Sequence, residues 1–135
     1  MTEKKKSISI SSRKAKGRNL QKWIANKLSD ISGIAIQKDG DIESRPMSQS
    51  GTDIILRGEA LEIFPWSIEA KNQEKWSVLA WIRQAKENTK KNLDWLLFCK
   101  KNHHEEIVIM DAQYFLDLYY ELHDLRTDKE KENKK

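Results

Sequence analysis

Apolar residues recur along this chain at two different periods, and the alternation between them predicts the elements. From Lys16, the residues Leu20, Trp23, Ile24, Leu28 and Ile31 are spaced by three and four, which puts them on one stripe of a helix with Lys22, Asn26 and Lys27 facing outward. Gly33 ends that helix. Ile34-Ala35-Ile36 is short, β-branched and followed by Lys38-Asp39-Gly40-Asp41, the pattern of a first strand and a turn. Ser44 to Gly51, polar and carrying Pro46, reads as a loop. Thr52–Leu56 and Trp66–Lys71 read as two strands joined by a loop over Gly58–Pro65, an antiparallel hairpin. Ser77 caps a helix predicted to run to about Lys91, with Val78, Trp81, Ile82 and Ala85 as its inner stripe. Trp95–Cys99 and Ile107–Met110 are two further strands across the polar turn Lys100–His104. Asp111 opens a last helix with Tyr114, Phe115, Leu118, Tyr119 and Leu122 inward. The predicted order is α-β-β-β-α-β-β-α, an α/β (α+β) domain with a mixed β-sheet flanked by helices.

Outside the periodic region the character changes. Residues 1–15 are predicted to be a flexible basic arm, 16–124 the folded domain, and 125–135 a charged tail. The 135 residues suit one domain, and their net charge of +4 is unevenly placed. Residues 1–18 carry +6 and residues 126–135 carry +2, so the middle of the chain is acidic, at −4. Basic flanks of this kind are either solvated tails or a grip on a polyanion. There is no apolar run of about 18 residues and no apolar segment behind the N-terminal lysines, so a soluble, intracellular (cytoplasmic) protein without a membrane span is expected. The single cysteine, Cys99, ends an apolar run and is expected to pack rather than react.

The predicted hairpin brings chemistry together. A register that opposes Asp53 to Glu69 centres its turn at Leu61, inside the Gly58–Pro65 loop. Opposed Cα atoms are about 4.5–5.5 Å apart, so both carboxylates can hold one cation. Side chains alternate along a strand, so Glu69 shares a face with Lys71 while Ile68 and Ala70 point the other way. An all-oxygen donor set suits Mg²⁺ or Mn²⁺ better than zinc. A lysine beside such an ion can position a water or meet charge developing on phosphorus, parts that suit phosphodiester hydrolysis. Glu-x-Lys occurs three times, and only Glu69–Lys71 lies in an apolar strand with an upstream acid. From spacing alone two readings stand open: a metal site, or the solvated face of an edge hairpin.

Thr52-Asp53 followed by Glu69-Ala70-Lys71, on a hairpin behind one helix and ahead of another, resembles the PD-(D/E)XK nuclease superfamily, with Thr52 in place of the family's proline. Lys16-Gly17 and Ser50-Gly51-Thr52-Asp53 resemble the archaeal-type Holliday-junction resolvases, which carry a glutamate in the first helix where Gln21 stands. Ser44-Arg45-Pro46-Met47-Ser48-Gln49 and Lys71-Asn72-Gln73-Glu74-Lys75-Trp76 resemble a group of phage-borne nucleases. The resemblance implies a restriction-endonuclease-like fold, Mg²⁺ or Mn²⁺ held by Asp53, Glu69 and the Ala70 carbonyl, Lys71 as the catalytic lysine, and Gln84 near the site.

The reading that follows is a metal-dependent DNA endonuclease, structure-selective and junction-resolving, acting as a homodimer because a symmetric junction calls for a two-fold enzyme. Lys14, Lys16, Arg18, Arg45 and Lys75 are the expected DNA contacts. The alternatives are an inactive nucleic-acid-binding module of the same fold, a sequence-specific restriction-type nuclease, and a small protein-interaction domain. Glu43 is a candidate for the missing acid if the Gly40–Gly51 loop folds over the hairpin, and otherwise a solvated loop glutamate. Trp66 and Trp76 are candidates for stacking on a base or, more simply, for packing. His103-His104 sits in a polar turn, and adjacent histidines point apart.

Overall fold

A computed structural model describes residues 9–46 and 51–134. Its elements are α1 (Ile10–Ser32), β1 (Ile42–Ser44), β2 (Ile54–Leu56), α2 (Gly58–Ile63), β3 (Trp66–Asn72), α3 (Val78–Asn88), β4 (Asp94–Lys100), β5 (Ile107–Met110) and α4 (Ala112–Asn133). The strands form one mixed sheet in the order β1-β2-β3-β4-β5. β2 runs antiparallel to both β1 and β3, β3 runs parallel to β4 across the α3 crossover, and β5 returns antiparallel to β4. Because β3 is paired on both sides, it is a central strand.

Side-chain alternation on β3 and β4 sorts the interior into two clusters, one on each face. Ile68 and Leu96, with Ile42 and Ile54 from β1 and β2, pack against Leu20, Ile24, Ala25 and Leu28 of α1 and against Ala60 and Phe64 around α2. Leu97 and Cys99 face the other way and close on Trp81 of α3. Glu69 and Lys71 belong by parity to this second face. The hairpin rests on one register pair, Ile54 against Ile68, both buried. Ile54→Ala should therefore cost about 2–5 kcal/mol, seen as a lower urea midpoint with an unchanged slope, because it empties volume where the carboxylate-bearing strands meet.

Several predicted elements shift. Helix α1 begins at Ile10, capped by the Ser9 hydroxyl, so the segment predicted as arm is helical from that residue; residues 1–8 lie outside the described residues. Ile34–Ile36 is no strand: only Ile36 makes an isolated bridge, to Ile42, and its side chain is 38% exposed. The first strand is instead Ile42–Ser44, where Ile42 is fully buried. The Gly58–Pro65 loop holds α2, a six-residue helix begun by Gly58 at a positive φ of 52°, where a side chain would meet the Asp41 carboxylate. The last helix, capped by Asp111 as predicted, continues through the segment predicted as a structureless tail.

Candidate active site

Asp53 and Glu69 come together as the hairpin register requires. The Ala70 amide donates to Asp53 Oδ2 at 2.6 Å, and Asn88 Nδ2 donates to Glu69 Oε1 at 2.7 Å. Among the described residues no donor other than the facing carboxyl reaches Asp53 Oδ1 or Glu69 Oε2, and the two carboxyls are near enough to share a proton. Glu69 is only 1% exposed, because the end of α3 closes over its face of the sheet. The solvated-edge reading is therefore overturned: Glu69 is an interior acid on a central strand.

Burial governs the electrostatics. It pushes Glu69 up to about 7, against the Asn88 hydrogen bond and with help from the nearby Asp53 charge. Asp53 is also raised by burial, against the Ala70 amide, the hydrogen bond with Glu69, and the charges of Lys71 and Arg45. The Lys71 ammonium thus acts on both carboxyls, as strand alternation placed it. Two converging carboxylates, short of compensating charge and with an oxygen each left over, are a donor set that fits one hard divalent cation. Among the described residues no group of three or more acidic, histidine or cysteine side chains gathers, so Asp53 and Glu69 stand as a pair without a third such side chain.

The other predicted residues divide. Gln84 is exposed on α3 and makes no hydrogen bond to the site; Asn88, one turn further on, does that work and was not anticipated. Its signal was position: a residue four beyond Gln84 lies on the same helix face. Gln21 is buried, 3% exposed, and accepts from Ser44 Oγ at 2.8 Å. Glu43 does not stand in for the missing acid, since it is tied to Arg57 at 3.0 Å and to the Asp39 amide. Arg45 is held, its Nε donating to the Thr52 carbonyl at 2.5 Å, and Gly51, at a φ of 107°, leaves room where a Cβ would press on the guanidinium. Lys16 is paired with Glu74 at 2.9 Å, whereas Lys14, Arg18 and Lys75 are exposed or open to solvent. Trp66 packs on Phe64 and bonds the Tyr114 hydroxyl, and Trp76 packs beside Trp81 and bonds the Gln73 carbonyl, so both are structural. His103 and His104 are exposed in their turn. Cys99 is fully buried and raised to about 11 by burial, the state of a packing thiol.

A model of the family described as phage putative PDDEXK endonuclease matches residues 12–134. The chain belongs to that family. Comparison with curated proteins and with solved structures gives no match. Membership accounts for the architecture: a five-stranded mixed sheet flanked by helices, the restriction-endonuclease-like arrangement expected of PD-(D/E)XK nucleases. It also gives the acidic pair its context, as the family is one of nucleases and the substrate class is nucleic acid. No helix among the described residues is long and apolar enough to cross a membrane.

Proposed function

We propose that this member of the phage PDDEXK endonuclease family is a Mg²⁺- or Mn²⁺-dependent DNA endonuclease that acts on branched DNA, resolving Holliday-type junctions as a homodimer. The observation that carries the proposal is the pairing of half-buried Asp53 with fully buried Glu69, with the Lys71 charge acting on both. Asp53 and Glu69, with the Ala70 carbonyl, are the residues that would hold the ion. When bound, it supplies Lewis acidity to a phosphate oxygen and acidifies a water. The chain's own groups do the rest. The Ala70 amide and Asn88 fix the two carboxylates in their orientations. Lys71, on the same face and one residue beyond Ala70, holds the attacking water or offsets charge on the pentacovalent phosphorus. The closed end of α3 keeps bulk water off Glu69, which strengthens each of these interactions.

The dimer finds support in α4, which buries none of its residues and leaves Phe115, Leu116, Tyr119 and Tyr120 more than half exposed. These side chains, together with exposed Ile107 and Val108 of the edge strand β5, offer apolar surface of the kind that a second copy would cover. A second copy related by a two-fold axis fits a substrate with two equivalent strands.

The test is direct. Purified full-length protein is incubated with a four-way junction, a duplex and a single strand, each with Mg²⁺, with Mn²⁺ or with EDTA. Cutting of the junction, with the ions and not with EDTA, is the expected result. A gel shift of all three substrates with none of them cut would leave a DNA-binding module and sink the enzyme reading, and faster cutting of linear duplex would replace the junction as substrate.

A further inference from the structure

Helix α4 turns only part of its apolar stripe toward its own domain. Tyr114 joins the cluster on the α1 face of the sheet, its hydroxyl accepting from the Trp66 indole, and Leu118 is half-buried one turn later. Beyond that turn the stripe is open. Leu122 is 40% and Leu125 68% exposed, and Phe115 and Tyr119 beside them are more than half exposed. The open residues continue a regular pattern: Asp111, Phe115, Leu118, Leu122, Leu125 and Lys129 are spaced alternately by four and three, the interval of a coiled-coil seam.

In chain order the seam is an acid, four apolar residues and a base, and it is complementary to itself when reversed. Laid antiparallel on a second α4, Phe115 meets Leu125, Leu118 meets Leu122, and Asp111 meets Lys129 at both ends. A parallel pair would set Asp111 on Asp111 and Lys129 on Lys129. The acidic end also lacks a cation of its own. Asp94 is raised by burial and by the charges of Asp111 and Asp117, and among the described residues no lysine or arginine forms an ion pair with any of the three. Tyr119 and Arg126 flank the seam on one side, an aromatic ring facing a guanidinium across the pair. Glu121 flanks it on the other side and meets its own counterpart, the one repulsive element.

We infer that α4 is the interface between two copies of this chain, each helix lying antiparallel on the other about a two-fold axis, with Lys129 of each copy closing on the Asp94–Asp111 end of its partner. The inference rests on the homodimer of the proposed function and adds which surface forms it and in which direction. Because Tyr114 packs on the α1 side of the sheet, this pairing leaves the Glu69 side of both copies open to substrate.

Sedimentation equilibrium of the full-length protein, in EDTA and without DNA, should show a dimer across a range of protein concentrations. Leu122→Glu alters a side chain open to solvent in the single chain, so the far-ultraviolet circular dichroism should be retained while the dimer is lost. A dimer that survives this substitution overturns the α4 interface and leaves a homodimer through another surface. A protein monomeric at every concentration overturns both, and the cutting assay still decides the nuclease chemistry by itself. Lys129→Glu sets acid against acid at the two ends of the antiparallel seam and should weaken the dimer about tenfold. An unchanged dissociation constant overturns the antiparallel direction, because in a parallel pair the reversal only replaces one like-charge meeting by another. Glu121→Gln removes the repulsion beside the axis and should tighten the dimer, and a weaker dimer overturns the register.

Discussion

Glu69→Gln is expected to abolish cutting and, in EDTA at pH 8, to make the protein harder to unfold. Both effects come from the same buried carboxyl. Removing one of two charged ligands leaves Asp53 alone to hold the ion, and a loss of at least 10³-fold in rate is in line with losing the main electrostatic element of a site. For stability the sign follows from protons. Glu69 is raised from an ordinary 4.5 to about 7 in the fold, so between these values the folded chain binds more protons than the unfolded one. Stability conferred by the neutral carboxyl is complete below pH 4.5 and is lost as the pH rises to about 7, leaving the metal-free protein weakest at and above neutrality. Glutamine never ionises and still accepts from Asn88, so it avoids a penalty on the order of 3 kcal/mol, or roughly 10 °C in melting temperature. Thermal melts at pH 4.5 and pH 8 in EDTA check this: the variant should gain at pH 8 and match the parent at pH 4.5. Equal gains at both values would trace the effect to packing rather than to charge. Saturating Mg²⁺ should close the gap at pH 8, because only the parent keeps both ligands.

Lys71→Ala should reduce cutting by about 10²–10³-fold while leaving junction affinity within a factor of two or three. Lys71 shares the Glu69 side of β3, opposite the side that packs on α1, and its charge acts on both carboxyls, so under the proposed function it serves the reacting phosphate rather than the grip on the backbone. Single-turnover rates at saturating junction, set beside anisotropy in EDTA, separate the two quantities. A variant that cuts at the parental rate would remove Lys71 from the mechanism. One that loses affinity and rate together would make it a backbone contact.

The centre of the molecule was legible because it depends on short-range rules. The pairing that opposes Asp53 to Glu69 is the pairing that sets Ile54 against Ile68, and alternation alone put Lys71 beside Glu69. What closes over them was not legible. Asn88 reaches Glu69 only because α3 crosses from β3 to the parallel strand β4, a tertiary arrangement that leaves no mark in local periodicity. Ile34-Ala35-Ile36 had the composition of a strand, yet the sheet takes Ile42–Ser44, since Ile42 can fill the space under α1 while Ser44 supplies the hydroxyl that Gln21 needs. α2 is too short to show a period. The outer ends of α1 and α4 carry no apolar stripe because nothing packs on them, and a helix solvated all round looks in sequence like a tail.

Cys99 lies directly across the parallel pair from Lys71 and beneath α3, fully buried and the chain's only thiol. It can meet a thiol reagent only when β4 parts from the helix or from β3. Its labelling rate therefore clocks the opening of the strand that carries Glu69 and Lys71 without a probe being added, and under the proposed function ions or DNA that clamp the site must slow that clock.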